Sequence, residues 1–146
     1  MGERVNPDDS VLRELLGTAK TIAVVGLSGN PARDSYQVAA YLQENGYRVI
    51  PVNPGVVEVL GERAYASLLE VPDRVDIVDV FRRPEEAMPA VEQAVKIGVR
   101  AVWLQVGVVN QEAAAVASRA GLLVVMDRCI KREHRRLCRG EGGAGD

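Results

Sequence analysis

A chain of 146 residues, 47% of them hydrophobic, has the size of one domain with a continuous core and leaves no room for a second. Its formal net charge of −2 gives no broad attraction to nucleic acid, so any anion has to be held locally. No apolar run reaches the roughly 18 residues of a membrane span, and the stretch Met1 to Asp9 is too polar for a signal peptide, which leads us to expect a cytoplasmic protein without a membrane partner.

Asp8 to Leu16 places Val11, Leu12, Leu15 and Leu16 on one helical face, with Asp8 or Asp9 as cap and Gly17 as terminator. Thr21 to Val25 follows as an uncharged strand, which needs cover on both faces. Four more apolar runs read as strands: Arg48 to Val52, Val75 to Val80, Arg100 to Leu104, and Leu122 to Met126. Helical patterns separate them over Ser35 to Asn45, Pro84 to Ile97 and Gln111 to Ala120, each followed by a glycine. The link Asn53 to Arg74 is irregular and admits only a short helix at Ser67 to Glu70. Asp127 to Arg139 reads as a last basic helix.

This rhythm predicts an α/β fold: a single doubly wound, parallel, five-stranded sheet of Rossmann-like type, in the order 3-2-1-4-5. The expected domain is 1–139, followed by a disordered tail over 140–146. In that order a ligand crevice opens where the first and fourth strands are neighbours, beyond their carboxyl ends. The loop Gly26 to Ser35 is rich in glycine and serine, carries Arg33 and runs into a helix start, the layout of a phosphate site.

Neither nucleotide fingerprint is complete. The turn Gly26-Leu27-Ser28-Gly29-Asn30-Pro31 lacks the G-x-G-x-x-G spacing, the second strand ends at Val52-Asn53-Pro54 with no carboxylate until Glu58, and no Gly-Lys-Ser/Thr phosphate loop is present.

From Thr21 to His134 the chain resembles the small stand-alone CoA-binding proteins, whose fold is shared with the CoA-binding domain of the succinyl-CoA synthetase α subunit. The resemblance is carried, in order, by Val25-Gly26-Leu27-Ser28, Pro31 to Tyr36, Val52-Asn53-Pro54, Val78 to Pro84, Trp103-Leu104-Gln105 and Met126 to Cys129. It implies that the ADP part of coenzyme A lies across the crevice, with Gly26, Ser28, Asn30, Arg33, Ser35, Tyr36, Asn53, Pro54, Phe81, Arg82, Arg83, Pro84 and Gln105 as the candidate site.

The residue chemistry agrees with that ligand. CoA carries a pyrophosphate and a 3′-phosphate and needs backbone donors at a close turn and a guanidinium. Gly26, Ser28 and the Ser35 helix start supply the donors and Arg33 the cation; Arg82 or Arg83 is a further phosphate ligand, and Phe81 and Pro84 offer apolar walls.

Each residue also has a plainer reading. Gly26 makes a tight turn, Ser35 caps a helix, Asn53-Pro54 forms a turn, and Tyr36 and Trp103 pack. Asp76 and Asp79 read as solvated or capped acids, and His134, in a basic stretch, as a surface residue. Cys129 and Cys138 make no disulfide framework and with His134 fall short of a zinc set, so no metal is expected. Cys129 is read as a structural thiol, with reaction toward the CoA thiol as the alternative.

The expected function is a non-catalytic module that binds coenzyme A or an acyl-CoA. The rivals are a small NAD(P)-dependent oxidoreductase and a subunit of a larger acyl-CoA enzyme. No protein partner is identifiable.

Overall fold

The computed structural model describes residues 6–140; the polar residues 1–5 and, beyond Gly140, the rest of the expected tail over 140–146 lie outside them. Helix α1 (Asp9–Thr18) begins at Asp8, whose carboxylate accepts the Val11 N–H at 3.1 Å. It buries Leu12, Leu15 and Leu16, whereas Val11 stays 36% exposed. Gly17, expected to stop the helix, lies inside it, and the chain turns out at Ala19.

The central sheet contains β1 (Thr21–Val25), β2 (Arg48–Val52), β5 (Ile77–Val80), β6 (Ala101–Leu104) and β7 (Leu123–Met126), all parallel. Between β2 and β5 the irregular link forms a small antiparallel hairpin, β3 (Glu58–Val59) with β4 (Glu62–Arg63), and a short 3₁₀ turn at Leu68–Glu70. Helices α2 (Asp34–Glu44), α3 (Ala87–Ile97), α4 (Gln111–Arg119) and α5 (Ile130–Cys138) complete the chain. Pro84–Glu86 is a separate 3₁₀ turn ahead of α3, and Gly98 closes α3 in the left-handed conformation.

The fold class is the expected one, a doubly wound α/β domain, but the strand order is not. It runs β2-β1-β5-β6-β7; counted among the five long strands this is 2-1-3-4-5 in place of 3-2-1-4-5. Two features hold β2 at the edge. Pro51 has no N–H to give a second ladder, which confines such a strand to an edge. The outer side of β2 is already occupied by Tyr65, whose N–H bonds the Pro51 carbonyl at 3.0 Å and whose carbonyl accepts the Asn53 N–H at 2.8 Å. The third long strand therefore crosses over and pairs with β1. The direction of winding reverses between β1 and β5, and the crevice lies there, not between the first and fourth strands.

Each face of the sheet has its own core. Ile22, Val24, Ile77, Trp103 and Val125 pack under α1, α2 and α5. Ala23, Val78, Val80, Val102, Leu104 and Val124 pack under α3, α4 and the turn at Leu68. The parallel register aligns Val52, Val25, Val80, Leu104 and Met126 at one level. The residues that follow them, Asn53, Gly26, Phe81, Gln105 and Asp127, leave the sheet along one edge.

Candidate functional site

Along that edge lies a cleft of about 1180 Å³. Of the residues expected at the site, the fold brings Gly26, Ser28, Arg33, Ser35, Asn53, Phe81, Arg82, Arg83 and Gln105 to its walls. Asn30, Tyr36, Pro54 and Pro84 are not on its walls. Asn30 folds its own loop, accepting the Ala32 N–H at 3.0 Å. Tyr36 packs half-buried against the α2 side of the core. Pro54 lines a neighbouring hollow of about 630 Å³ at the β3–β4 hairpin. Pro84 gives its carbonyl to the Asn110 amide at 2.8 Å, tying two strand-end loops together.

The first loop is built by its own polar groups. Ser35 is buried in the first turn of α2, and its Oγ accepts the Ser28 N–H at 3.0 Å. Ser28 Oγ in turn accepts the Asn30 N–H at 3.0 Å. The Ser28 amide, expected as a phosphate donor, is thus already used, and Ser35 is a brace for the loop and not the helix cap. The cap position is Arg33, whose side chain gives α2 no capping bond. The amides of Asp34, Ser35 and Tyr36 in that first turn have no acceptor within the helix. They form the positive end of the α2 dipole.

Neighbouring loops are clamped to this one. Asn53 donates its amide to the Leu27 carbonyl at 3.0 Å and accepts the Gly55 N–H at 2.9 Å. Gln105, 4% exposed, accepts the Ile130 N–H at 3.1 Å and so fixes the start of α5 against the loop after β6. Phe81 N–H bonds the Val25 carbonyl at 2.8 Å, which sets the aromatic ring beside the first loop. The cleft thus combines apolar lining at Val56, Phe81, Val106 and Val108 with charged side chains of α2 and α5.

Sequence reading missed the α5 wall, where Lys131, Arg132 and Arg135 face the cleft. The available signal was position: α5 follows the last strand, so its first turns stand at the same edge as those of α2. Cys129 also lines the cleft, half-buried.

Two acid–base groups differ from expectation. His134 is not a surface residue: it is 7% exposed, its Nδ1 lies 2.8 Å from the Tyr41 hydroxyl, and it meets the rings of Tyr41 and Tyr47 edge-on at 5.5 and 5.6 Å. Burial, then the charge of Arg139, pulls its pKa below the ordinary value. Asp79 is neither solvated nor capped. It is wholly buried in β5, registered between Val24 and Trp103, and its carboxyl oxygens have no hydrogen-bond partner in the protein. Burial pushes its pKa well above the ordinary carboxylate range. Asp76 behaves differently, accepting the Lys20 and Thr21 N–H groups at 2.8 and 3.1 Å.

Among the described residues no group of three His, Cys, Asp or Glu is placed to hold a metal ion, and no helix is long and apolar enough to cross a membrane.

Fold and cleft define a doubly wound α/β domain with its candidate site at the strand ends. Residues 20–135 match the family model described as the CoA binding domain, and the chain belongs to that family. It is 43% identical over 129 residues to the uncharacterized protein YneT of Bacillus subtilis, covering 88% of this chain and 96% of that one. A solved structure, a hypothetical protein from Pyrococcus horikoshii OT3, superposes with a TM-score of 0.89 at 45% identity, covering 94% of this chain and 99% of that one. The chain is also 36% identical over 96 residues to the alpha subunit of the ADP-forming acetate–CoA ligase I of Pyrococcus furiosus; the match takes in 61% of this chain but only 21% of the ligase subunit.

Proposed function

We propose that the cleft binds coenzyme A, or an acyl-CoA, through its ADP moiety, and that the chain is a binding module without catalysis of its own. The observation that carries this reading is the first turn of α2: three amides without helical acceptors, no side-chain cap, and the exposed Arg33 beside them on the cleft wall. Anions are stabilised at such a terminus, and the guanidinium adds a charge-assisted pair of hydrogen bonds. Phe81, Val56 and Val108 offer apolar surface to the adenine or the pantetheine arm.

The absence of catalysis is supported by His134, the one histidine of the chain, which is turned into the core under α5 and bonded to Tyr41. NAD is disfavoured by Asn53, which stands where a ribose-binding carboxylate is expected and uses its amide to clamp Leu27. The likeness to the ligase alpha subunit favours a second reading, in which the chain completes a larger acyl-CoA enzyme. Purification of the tagged protein from its own cell extract tests it; a co-purifying ligase-type subunit supports that second reading.

Calorimetric titration with CoA, acetyl-CoA, NAD and NADP tests the first reading. CoA is expected to bind most tightly, and Arg33→Ala to weaken it about tenfold with folding intact, the loss expected for one charge-assisted bond. Tighter binding of NAD than of CoA would overturn the proposal. An unchanged affinity in Arg33→Ala moves the phosphate contact to Arg82, which also lines the cleft, is half-buried and has no ion pair among the described residues.

A further inference from the structure

Gln105 holds a donor that the fold does not use. The residue is 4% exposed and lines the cleft. Its Oε1 accepts the Ile130 N–H at 3.1 Å, which leaves Nε2 with its two protons on the other side of the same amide. That nitrogen has no acceptor among the described residues. Among those residues the wholly buried side-chain atoms without a partner are those of Asp79, so the Gln105 nitrogen reaches a surface, and the cleft is the surface its residue lines. A donor on a residue buried this deeply calls for an acceptor brought by a ligand.

Beside it stands a cysteine at the start of a helix. Cys129 lines the cleft, half-buried, at the N-cap of α5, and the cap makes no side-chain hydrogen bond. The turn that carries it is fixed on both sides. Asp127 has φ +63° and accepts the Gly107 N–H at 2.8 Å, the Arg128 carbonyl accepts the Trp103 Nε1–H at 2.9 Å, and Ile130 is held by Gln105. The Lys131 and Arg132 amides have no acceptor within α5 and stand at the same helix start. A nucleophilic sulfur and two kinds of N–H donor thus meet where the chain leaves β6 and β7. That place lies three strand spacings, about 14 Å, from β1 in the order β1-β5-β6-β7. With the ribose at Asn53 after β2 and the pyrophosphate at α2 after β1, the thiol end of an extended CoA points there.

We infer that Cys129 takes an acyl group from a bound acyl-CoA, with the Gln105 Nε2–H and the first amides of α5 holding the carbonyl oxygen. The inference rests on the CoA reading above and concerns one transfer onto the chain, without turnover. The Cys129 sulfur attacks the thioester carbon and a new carbon–sulfur bond forms. Negative charge moves to the carbonyl oxygen, where N–H donors already in place are most effective. The bond to the CoA sulfur then breaks, CoA leaves as a thiolate and receives the proton given up by Cys129, and nothing is oxidised or reduced. One thioester replaces another, so no further reactant is needed. Free CoA has no carbonyl at its thiol end, and the reactive ligand is therefore the acyl form.

Incubating the full chain with excess acetyl-CoA and mapping the product by peptide mass spectrometry tests this. One acetyl group is expected on Cys129, removable by hydroxylamine and gained about tenfold or more faster than on Cys138, which does not line the cleft. Gln105→Glu keeps an acceptor for the Ile130 N–H but loses the donors, and is expected to slow the transfer about 10²-fold with its melting transition retained. The comparison of the two cysteines in the wild type does not depend on how that variant folds. Equal rates at both cysteines, or no acetyl group on Cys129 in protein that binds acetyl-CoA by calorimetry, overturns the inference and leaves the CoA reading standing. So does an unchanged rate in folded Gln105→Glu. Failure of the wild type to bind either CoA or acetyl-CoA overturns the CoA reading itself.

Discussion

A β-carbon placed on Gly26 would stand 2.0 Å from the carbonyl oxygen of Phe81. Gly26 follows β1 and Phe81 follows β5, the two strands between which the winding reverses, so this contact sets how closely the two sides of the crevice approach. Gly26 also has φ +87°, in the region where L side chains are strained. Both demands meet at one residue, and neither requires a ligand.

Gly26→Ala is therefore expected to destabilise the fold by about 3 kcal/mol or more, from left-handed strain plus overlap with backbone that cannot swing away. Gly29→Ala is the control. Its added carbon would meet only Val56 Cγ1, at 4.0 Å, and stability should move by less than about 0.5 kcal/mol. Urea denaturation of both variants separates the two effects; equal midpoints would show that the loop yields freely around Gly26.

Asp79 predicts a stability that falls as pH rises. Burial raises its pKa, so the folded protein holds a proton that the unfolded chain releases near its ordinary value of 3.8. The contribution of the protonated acid is complete below that value and is lost as pH climbs through the folded pKa. Asp79→Val removes both the titration and a buried unpartnered group, and at neutral pH is expected to stabilise by about 1–3 kcal/mol. The gain should shrink toward pH 4. A variant less stable than wild type at every pH would mean that the carboxyl is satisfied in solution.

Much of this arrangement was legible in the residue pattern, and the exceptions have physical causes. Five long strands, the helices between them and the glycines that follow three of those helices are local signals, and they read through. Strand order is a tertiary choice, yet Pro51 carried it: a strand that cannot donate from its middle belongs at an edge. Asp79 misled because a polar residue within an apolar strand reads as solvent-facing, which fails when the strand is central and covered on both sides. The α5 cations read only as a basic helix, since a helix pattern says which residues share a face and not what that face opposes. Ser28 and Ser35 show the reverse problem. Their residue types suit a phosphate loop, but the bond between them uses up the Ser28 amide.

His134 titrates with the opposite sign. Its folded pKa lies below 6.5, so as pH falls through 6.5 the unfolded chain takes up a proton before the folded protein does. Stability from the neutral ring is present above that value and is lost as pH falls through the folded pKa. The charge that acts on it is that of Arg139, at the C-terminal end of α5. That cation opposes a second positive charge. Denaturation midpoints at pH 7.5 and 5.5 should fall with acid in Asp79→Val, where the competing titration is gone, and the fall should flatten when His134→Leu is added. A slope that persists in the double variant would assign the acid sensitivity to another group.

Cys129 and Cys138 differ in what a bound ligand would do to them. Cys129 lies half-buried on the cleft wall at the start of α5, where an occupant of that end of the cleft would cover it. Cys138 is exposed at the far end of α5, outside the cleft, and its thiol pKa is raised by burial. Alkylation depends on access and on thiolate fraction, so the two sites serve as independent clocks. With saturating CoA, modification of Cys129 by iodoacetamide is expected to slow about tenfold or more, as access is lost, while the rate at Cys138 stays constant. Peptide mass spectrometry resolves the two. Equal slowing at both would indicate a general tightening of α5 and not occupancy of the cleft; no slowing at Cys129 would place the ligand away from the β7–α5 junction, nearer the Asn53 end of the strand edge.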